Sequence, residues 1–311
     1  MSALFARLLD DAALFPPQHA PMDEALSAHR AASHTGSFRA DASPLVGRFL
    51  CPASRFAELR THLVPEDLLD LGVVADTGVE ELPQALDAVR AEPRVRPSSV
   101  EIALPRDADQ ARAAAVMIAR LPSGVPTHIE VHRAAGWLHA LDRIAAARSV
   151  SAEQAAAEQT ATEPTATGSM TADGPTLGAK YRVEGLRAAD VPGTDALAAF
   201  ITACAQRDLP FICAGGPGHA VRNASGHGLL NVLLATACAA AGAPEHDVRH
   251  ALERTDASGI VRELRSLPGR EVRATRGLLV AFGAPDVRAA RRDLAAAGLI
   301  KRPDTGEDRS S

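Results

Sequence analysis

Two short runs of this chain carry ionisable side chains at every second position and a third carries a single glutamate, each set opposite an apolar face. Residues 125–132 put Val125, Ile129 and Val131 on one side and His128, Glu130 and His132 on the other. In residues 177–184, Leu177, Ala179, Tyr181 and Val183 oppose Lys180, Arg182 and Glu184, while around residue 101 Val100, Ile102 and Leu104 oppose Glu101. Two is the strand period, so each polar set shares one face of a strand. Buried charges are costly unless paired or used. Glu101, Glu130 and Lys180 aimed into one space therefore read in two ways. They form a structural ion-pair network, Glu130 to Lys180 and Glu101 to Arg182, or they form a reaction centre. In a centre, Lys180 condenses with a carbonyl substrate if its amine is free, or stabilises a developing enolate if it stays charged. Glu130 then serves as general acid and base, with His132 or His219 assisting. Arg182 and Arg222 hold a carboxylate or phosphate.

Two loop motifs extend the anion-binding set. Gly215-Gly216-Pro217-Gly218-His219-Ala220-Val221-Arg222 combines glycines, which allow close backbone approach, with a histidine and an arginine. Ser225-Gly226-His227-Gly228 leads into a helix containing Asn231, whose N-terminal N–H groups favour an anion or are simply capped by the loop. Gly216 and Asn231 are accordingly candidate substrate contacts beside Arg182, Arg222, His132 and Glu101. No metal is expected. One ion cannot take His128, Glu130 and His132 together from a straight strand, and Lys180 and Arg182 would repel it. No other cofactor is indicated. Cys51, Cys204, Cys213 and Cys238 lack Cys-x-x-Cys spacing, and Cys51 reads as a buried thiol more than a nucleophile.

The elements that must carry these residues alternate in type. Strand candidates at 12–15, 46–51, 70–75, 99–104, 127–132, 178–183, 210–214 and 277–283 are separated by Ala- and Leu-rich amphipathic runs, among them 23–32, 83–91, 107–121, 137–148 and 194–208. Repeated strand–helix units predict a parallel sheet with helical crossovers, and eight of them predict a single closed β/α barrel. An open doubly wound sheet is the alternative, with the short first strand as the uncertain count. Residues 149–176 are rich in Ala, Thr, Glu and Gly without apolar periodicity. They read as a flexible insertion before the sixth strand, so that 1–148 and 177–300 are two parts of one barrel. Residues 301–311 read as a disordered tail.

Composition bounds the partners. With a net charge of −5 the chain lacks the basic surplus of a nucleic-acid binder. Its longest apolar run, 229–243, is interrupted by Asn231 and falls short of the roughly 20 residues of a membrane span. Residues 1–15 contain Asp10 and Asp11 where a signal peptide needs an apolar core, so a cytoplasmic location is expected. The two aspartates read as solvated charges or as rim ligands.

The stretches Asp10-Asp11-Ala12-Ala13-Leu14-Phe15-Pro16-Pro17, Phe49-Leu50-Cys51-Pro52-Ala53-Ser54-Arg55 and Gly178-Ala179-Lys180-Tyr181-Arg182 resemble a family of uncharacterised bacterial proteins, as do Leu209-Pro210-Phe211, His219-Ala220-Val221-Arg222 and His227-Gly228-Leu229-Leu230-Asn231. The resemblance spans nearly the whole chain outside the insertion and implies relatedness rather than a particular reaction. Against the family pattern this chain has Glu184-Gly185 in place of a Gly-Gly pair, Ile212 in place of a lysine, and Gly218 in place of the first of two histidines. The expected activity is of lyase or aldolase type on a small anionic carbonyl metabolite. A non-catalytic binding or scaffold barrel is the alternative, and a metal-dependent hydrolase ranks third.

Overall fold

In the computed structural model eight parallel strands hydrogen-bond in sequence order and close on themselves, with the last strand pairing the first. The strands are β1 (Leu9–Asp11), β2 (Val46–Pro52), β3 (Leu69–Val74), β4 (Val95–Ala103), β5 (Thr127–Glu130), β6 (Leu177–Arg182), β7 (Phe211–Ala214) and β8 (Leu279–Ala284). Around them lie α1 (Ser2–Phe5), α2 (Met22–His34), α3 (Phe56–Thr61), α4 (Leu82–Arg90), α5 (Gln110–Ile118) and α6 (Trp137–Ala161). The second half adds α7 (Thr194–Ala205), α8 (Leu229–Ala240), α9 (Glu245–Glu253), α10 (Ala257–Ser266), α11 (Gly269–Leu278) and α12 (Val287–Ala296). This is a (β/α)8 barrel of the TIM type. The structure describes residues 2–34, 44–161, 177–183, 191–216, 218–224 and 226–300. Among them no helix is long and apolar enough to cross a membrane.

Alternation along each strand sorts side chains between helices and lumen. Tyr181 of β6 faces outward and stacks on Phe200 of α7 at 4.4 Å between ring centroids, and Phe200 meets Phe211 of β7 edge-on at 5.4 Å. Two helices begin at side-chain caps: Asp109 accepts from the Arg112 N–H at the start of α5, and Asp286 from the Ala289 N–H at the start of α12.

Several boundaries differ from expectation, β4 beginning early at Val95 and β5 ending at Glu130 among them. The first strand is Leu9–Asp11 and not the apolar run at 12–15, and its acids are partnered. Asp10 accepts from the Arg48 backbone and guanidinium in the lumen, and Asp11 faces outward to His29 of α2 at 3.2 Å. Neither is a solvated charge; both are buried. Next, α6 runs on to Ala161, into the stretch expected to be flexible, because its Ala, Glu and Gln are strong helix formers. Residues 162–176 and 301–311 lie outside the described residues. Finally, α10 and α11 fill the interval between α9 and β8, so β8 begins at Leu279.

Arg276, near the end of α11, closes the N-terminal mouth of the barrel. Its guanidinium donates to the carbonyls of Leu279 and Val280 on β8 and of Ala6 just ahead of β1. Burial lowers its pKa to about 10.

Candidate functional site

A cavity of about 940 Å³ opens at the C-terminal end of the strands, the end where barrel enzymes of this fold carry their chemistry. Its floor is a chain of charges. Lys180 Nζ lies 2.9 Å from Glu101 Oε2 and 3.0 Å from Glu130 Oε2, and all three side chains are buried. Arg182, half exposed, approaches the two oxygens of Glu130 at 3.2 and 3.3 Å. The expected partner of Arg182 was Glu101, yet the lysine takes it: Lys180 bridges β4 and β5, and Arg182 instead donates to both oxygens of Glu130, sharing Oε2 with the lysine.

The electrostatics follow from this packing. Burial opposes the charge on Lys180, but Glu101 and Glu130 outweigh it and raise the pKa above the ordinary lysine value. Burial likewise opposes ionisation of Glu130, and Lys180 and Arg182 outweigh it, holding the carboxyl at about 2. The pair is thus charged at neutral pH. An ammonium has three N–H donors, and two are matched to carboxylates.

His132 stands just beyond β5 on the cavity wall. Its Nε2 is 2.9 Å from the Leu104 carbonyl, which can only accept, so Nε2 carries the hydrogen. Burial keeps the ring's pKa below its usual value despite Glu130 nearby, so Nδ1 holds a lone pair at neutral pH. Deeper in the lumen His128 is held neutral, its pKa pushed to about 3 by burial and then by Arg48 and Lys180. It leans on Gly178, where a β-carbon would sit 2.6 Å from His128 Cδ2 and 2.8 Å from the Pro210 carbonyl. Gly178→Ala should therefore destabilise the fold by about 1–3 kcal/mol, read as a lower denaturant midpoint. An unchanged midpoint would show that the lumen can yield there.

Two exposed arginines that sequence reasoning missed, Arg106 after β4 and Arg133 after β5, complete the charged wall. The Arg133 guanidinium lies over the Trp137 ring at 5.2 Å, which fixes it without neutralising it. Among the described residues lining this cavity or paired to its floor, Lys180, Arg106, Arg133 and Arg182 outnumber Glu101 and Glu130. No family model, curated protein or solved structure matches this chain. The chemistry of the site is read from its geometry alone.

The structure does not bring His219, Arg222, Gly216 or Asn231 to the cavity wall. The segment after β7 folds back on α8, with Leu229 and Leu230 donating to the carbonyls of His219 and Ala220. Asn231 is saturated by the backbone: it accepts from the Arg222 N–H and donates to the carbonyls of Ala251 and Arg254. The Arg222 guanidinium meets His227 Nδ1 at 3.4 Å, and His227 Nε2 in turn donates to Pro192, which does line the cavity. Gly216 packs on β8, where a β-carbon would meet Phe282 at 3.0 Å. Cys51 is buried, and burial pushes its thiol to about 12, the condition of an inert cysteine. Among the described residues no group of three His, Cys, Asp or Glu side chains converges as a metal site would require.

Proposed function

We propose that this barrel is an enzyme of lyase or aldolase type acting on an anionic carbonyl compound, with Lys180 working as a fixed cation. The observation that carries the reading is the buried lysine at the cavity floor, kept charged by Glu101 and Glu130 and with one N–H unmatched among the described residues. A lysine held as ammonium is a poor amine nucleophile, which favours the stabiliser role over a Schiff base. In that role the carbonyl oxygen accepts from Lys180 Nζ, and the substrate's carboxylate or phosphate rests against Arg182, Arg133 and Arg106. His132 Nδ1 removes a proton from the carbon beside the carbonyl, or from a hydroxyl during carbon–carbon cleavage. The electron pair moves onto the carbonyl oxygen, where Lys180 stabilises the negative charge, and the proton on His132 is returned to the product. Glu130 positions and charges Lys180 rather than acting as the base, since a carboxylate of such low pKa is weakly basic.

Enolate formation can be read without knowing the natural substrate. In D2O the protein should exchange the protons beside the carbonyl of a 2-oxo acid, followed by NMR. Lys180→Met should slow exchange by about 10²–10³-fold, the usual loss for removing one preorganised oxyanion donor. Borohydride should trap no adduct at Lys180. A trapped adduct would move the mechanism to a Schiff base, and no exchange with any carbonyl acid would remove the enzymatic reading.

A second reading has its own support. Every charge on the floor is paired, so the same cluster serves a non-catalytic barrel equally well, and ligand binding without exchange would select it. We also infer that the chain is a diverged member of the bacterial family whose motifs it carries. Support comes from Phe15, Pro16, Pro17, Lys180 and Arg182, which belong to separate motif stretches and line one cavity. The four cysteines are free thiols, in keeping with a cytoplasmic setting.

A further inference from the structure

The cavity wall is divided by strand. Going round the closed barrel, every charged residue and histidine of the described wall comes from β4, β5 and β6 or the segments just after them: Glu101, Arg106, His132, Arg133, Lys180 and Arg182. Among the described residues the opposite arc, formed by β7, β8, β1, β2 and β3, contributes no charged side chain to the cavity wall. Leu50, Val74 and Ile212 point inward from it, and Phe15, Pro17 and Pro285 stand above them at the rim. Ile212 is the register partner of Lys180, so the boundary between charged and apolar wall falls between two adjacent strands. The cavity, about 940 Å³, is at the upper end of the roughly 300–1,000 Å³ typical of small-molecule sites. A three-carbon acid set against Lys180 and the arginines would leave the apolar arc untouched.

We propose that the ligand is an amphiphilic anion: a 2-oxo acid, or another acid with a carbonyl beside the charge, carrying a hydrocarbon tail. Its charged end lies on β4–β6 and its tail lies across Leu50, Val74 and Ile212. This rests on the functional reading above, because the anionic end is placed by the same lysine and arginines. It narrows that reading by assigning the rest of the molecule. Burial of each methylene against the apolar arc then tightens binding roughly fourfold until the arc is covered.

The test is calorimetric titration of the full chain with pyruvate, 2-oxobutyrate, 2-oxovalerate and 2-oxocaproate, and with the neutral amide of each. The expected result is a Kd that falls about fourfold with each added methylene, with every amide at least tenfold weaker than its acid. Ile212→Asn should flatten the dependence on chain length by placing an amide in the path of the tail; should that variant fail to fold, the wild-type series decides alone. Acids that bind equally at every length would overturn the amphiphile and leave the anion site standing. Amides that bind as well as the acids, or acids that do not bind at any length, would overturn both.

Discussion

Lys180→Met is expected to cost about 3–5 kcal/mol of folding stability at neutral pH, the penalty for stranding a buried partner of opposite charge. Glu101 and Glu130 each lie within 3.0 Å of the ammonium and are almost fully buried, so its removal leaves two carboxylates facing one another. Arg182 still reaches Glu130, which is why the loss is finite and why the barrel should fold.

The pH dependence separates this from generic loss of packing. In the native protein Glu130 titrates at about 2 instead of its ordinary 4.5, because Lys180 and Arg182 outweigh its burial. A depressed folded pKa gives stability that is complete above 4.5 and is lost as the pH falls towards 2, a loss of about 3 kcal/mol for a shift of this size. Without Lys180 the carboxylates protonate more readily, and the gap between variant and native protein should narrow steadily below neutral pH. Lys180 itself works in the other direction. Its raised pKa means that its contribution is complete below 10.5 and is lost as the pH rises through the folded value. Urea melts of both proteins from alkaline to acid pH measure all of this. Equal midpoints at neutral pH would mean that water reaches the carboxylates and that the cluster is not closed.

Asn231→Ala should be nearly as damaging, though it lies away from the cavity. The side chain is fully buried and makes three backbone bonds, to the Arg222 N–H and to the Ala251 and Arg254 carbonyls. The two carbonyls belong to the end of α9, where the helix has no partners of its own to offer. Truncation leaves all three groups unpaired, at about 1–3 kcal/mol each, so a loss of about 3 kcal/mol is a conservative expectation. Asn231→Asp keeps the acceptor, removes both donors and sets a carboxylate against two carbonyls. It should lose at least as much. Denaturant midpoints for both variants within experimental error of the native protein would show that the loop after β7 holds by other means.

The parts of the site legible in the sequence were those set by the two-residue period. That Glu101, Glu130 and Lys180 share the lumen follows from which of their neighbours are apolar, and neighbouring strands fall in chain order round the barrel. Partner choice was not legible, because Lys180 and Arg182 stand on the same face and only the stagger of the strands decides which reaches Glu101. The first strand was obscured for a related reason. Asp10 and Asp11 look like surface charges until Arg48 and His29, distant along the chain, are packed against them. The loop residues divided worst. His219, Arg222 and Asn231 carry the right chemistry, but their backbone contacts with α8 and α9 turn them away. Arg106 and Arg133 carry no motif and face the cavity only because short loops after β4 and β5 place them there.

Arg276 sets a condition on how the chain is made. Its bond to Ala6 spans 270 residues, and β1 finds its second neighbour only when Leu9 pairs with Phe282 of β8. At about 5–20 residues per second, a ribosome takes on the order of tens of seconds to supply that partner. Until then β1 can have at most one strand neighbour, so the barrel cannot close. Closure, the sealing of the N-terminal mouth and the final shape of the charged lumen then come as one late event. Conditions that slow synthesis past β7 should therefore lengthen the time during which the nascent protein needs a chaperone.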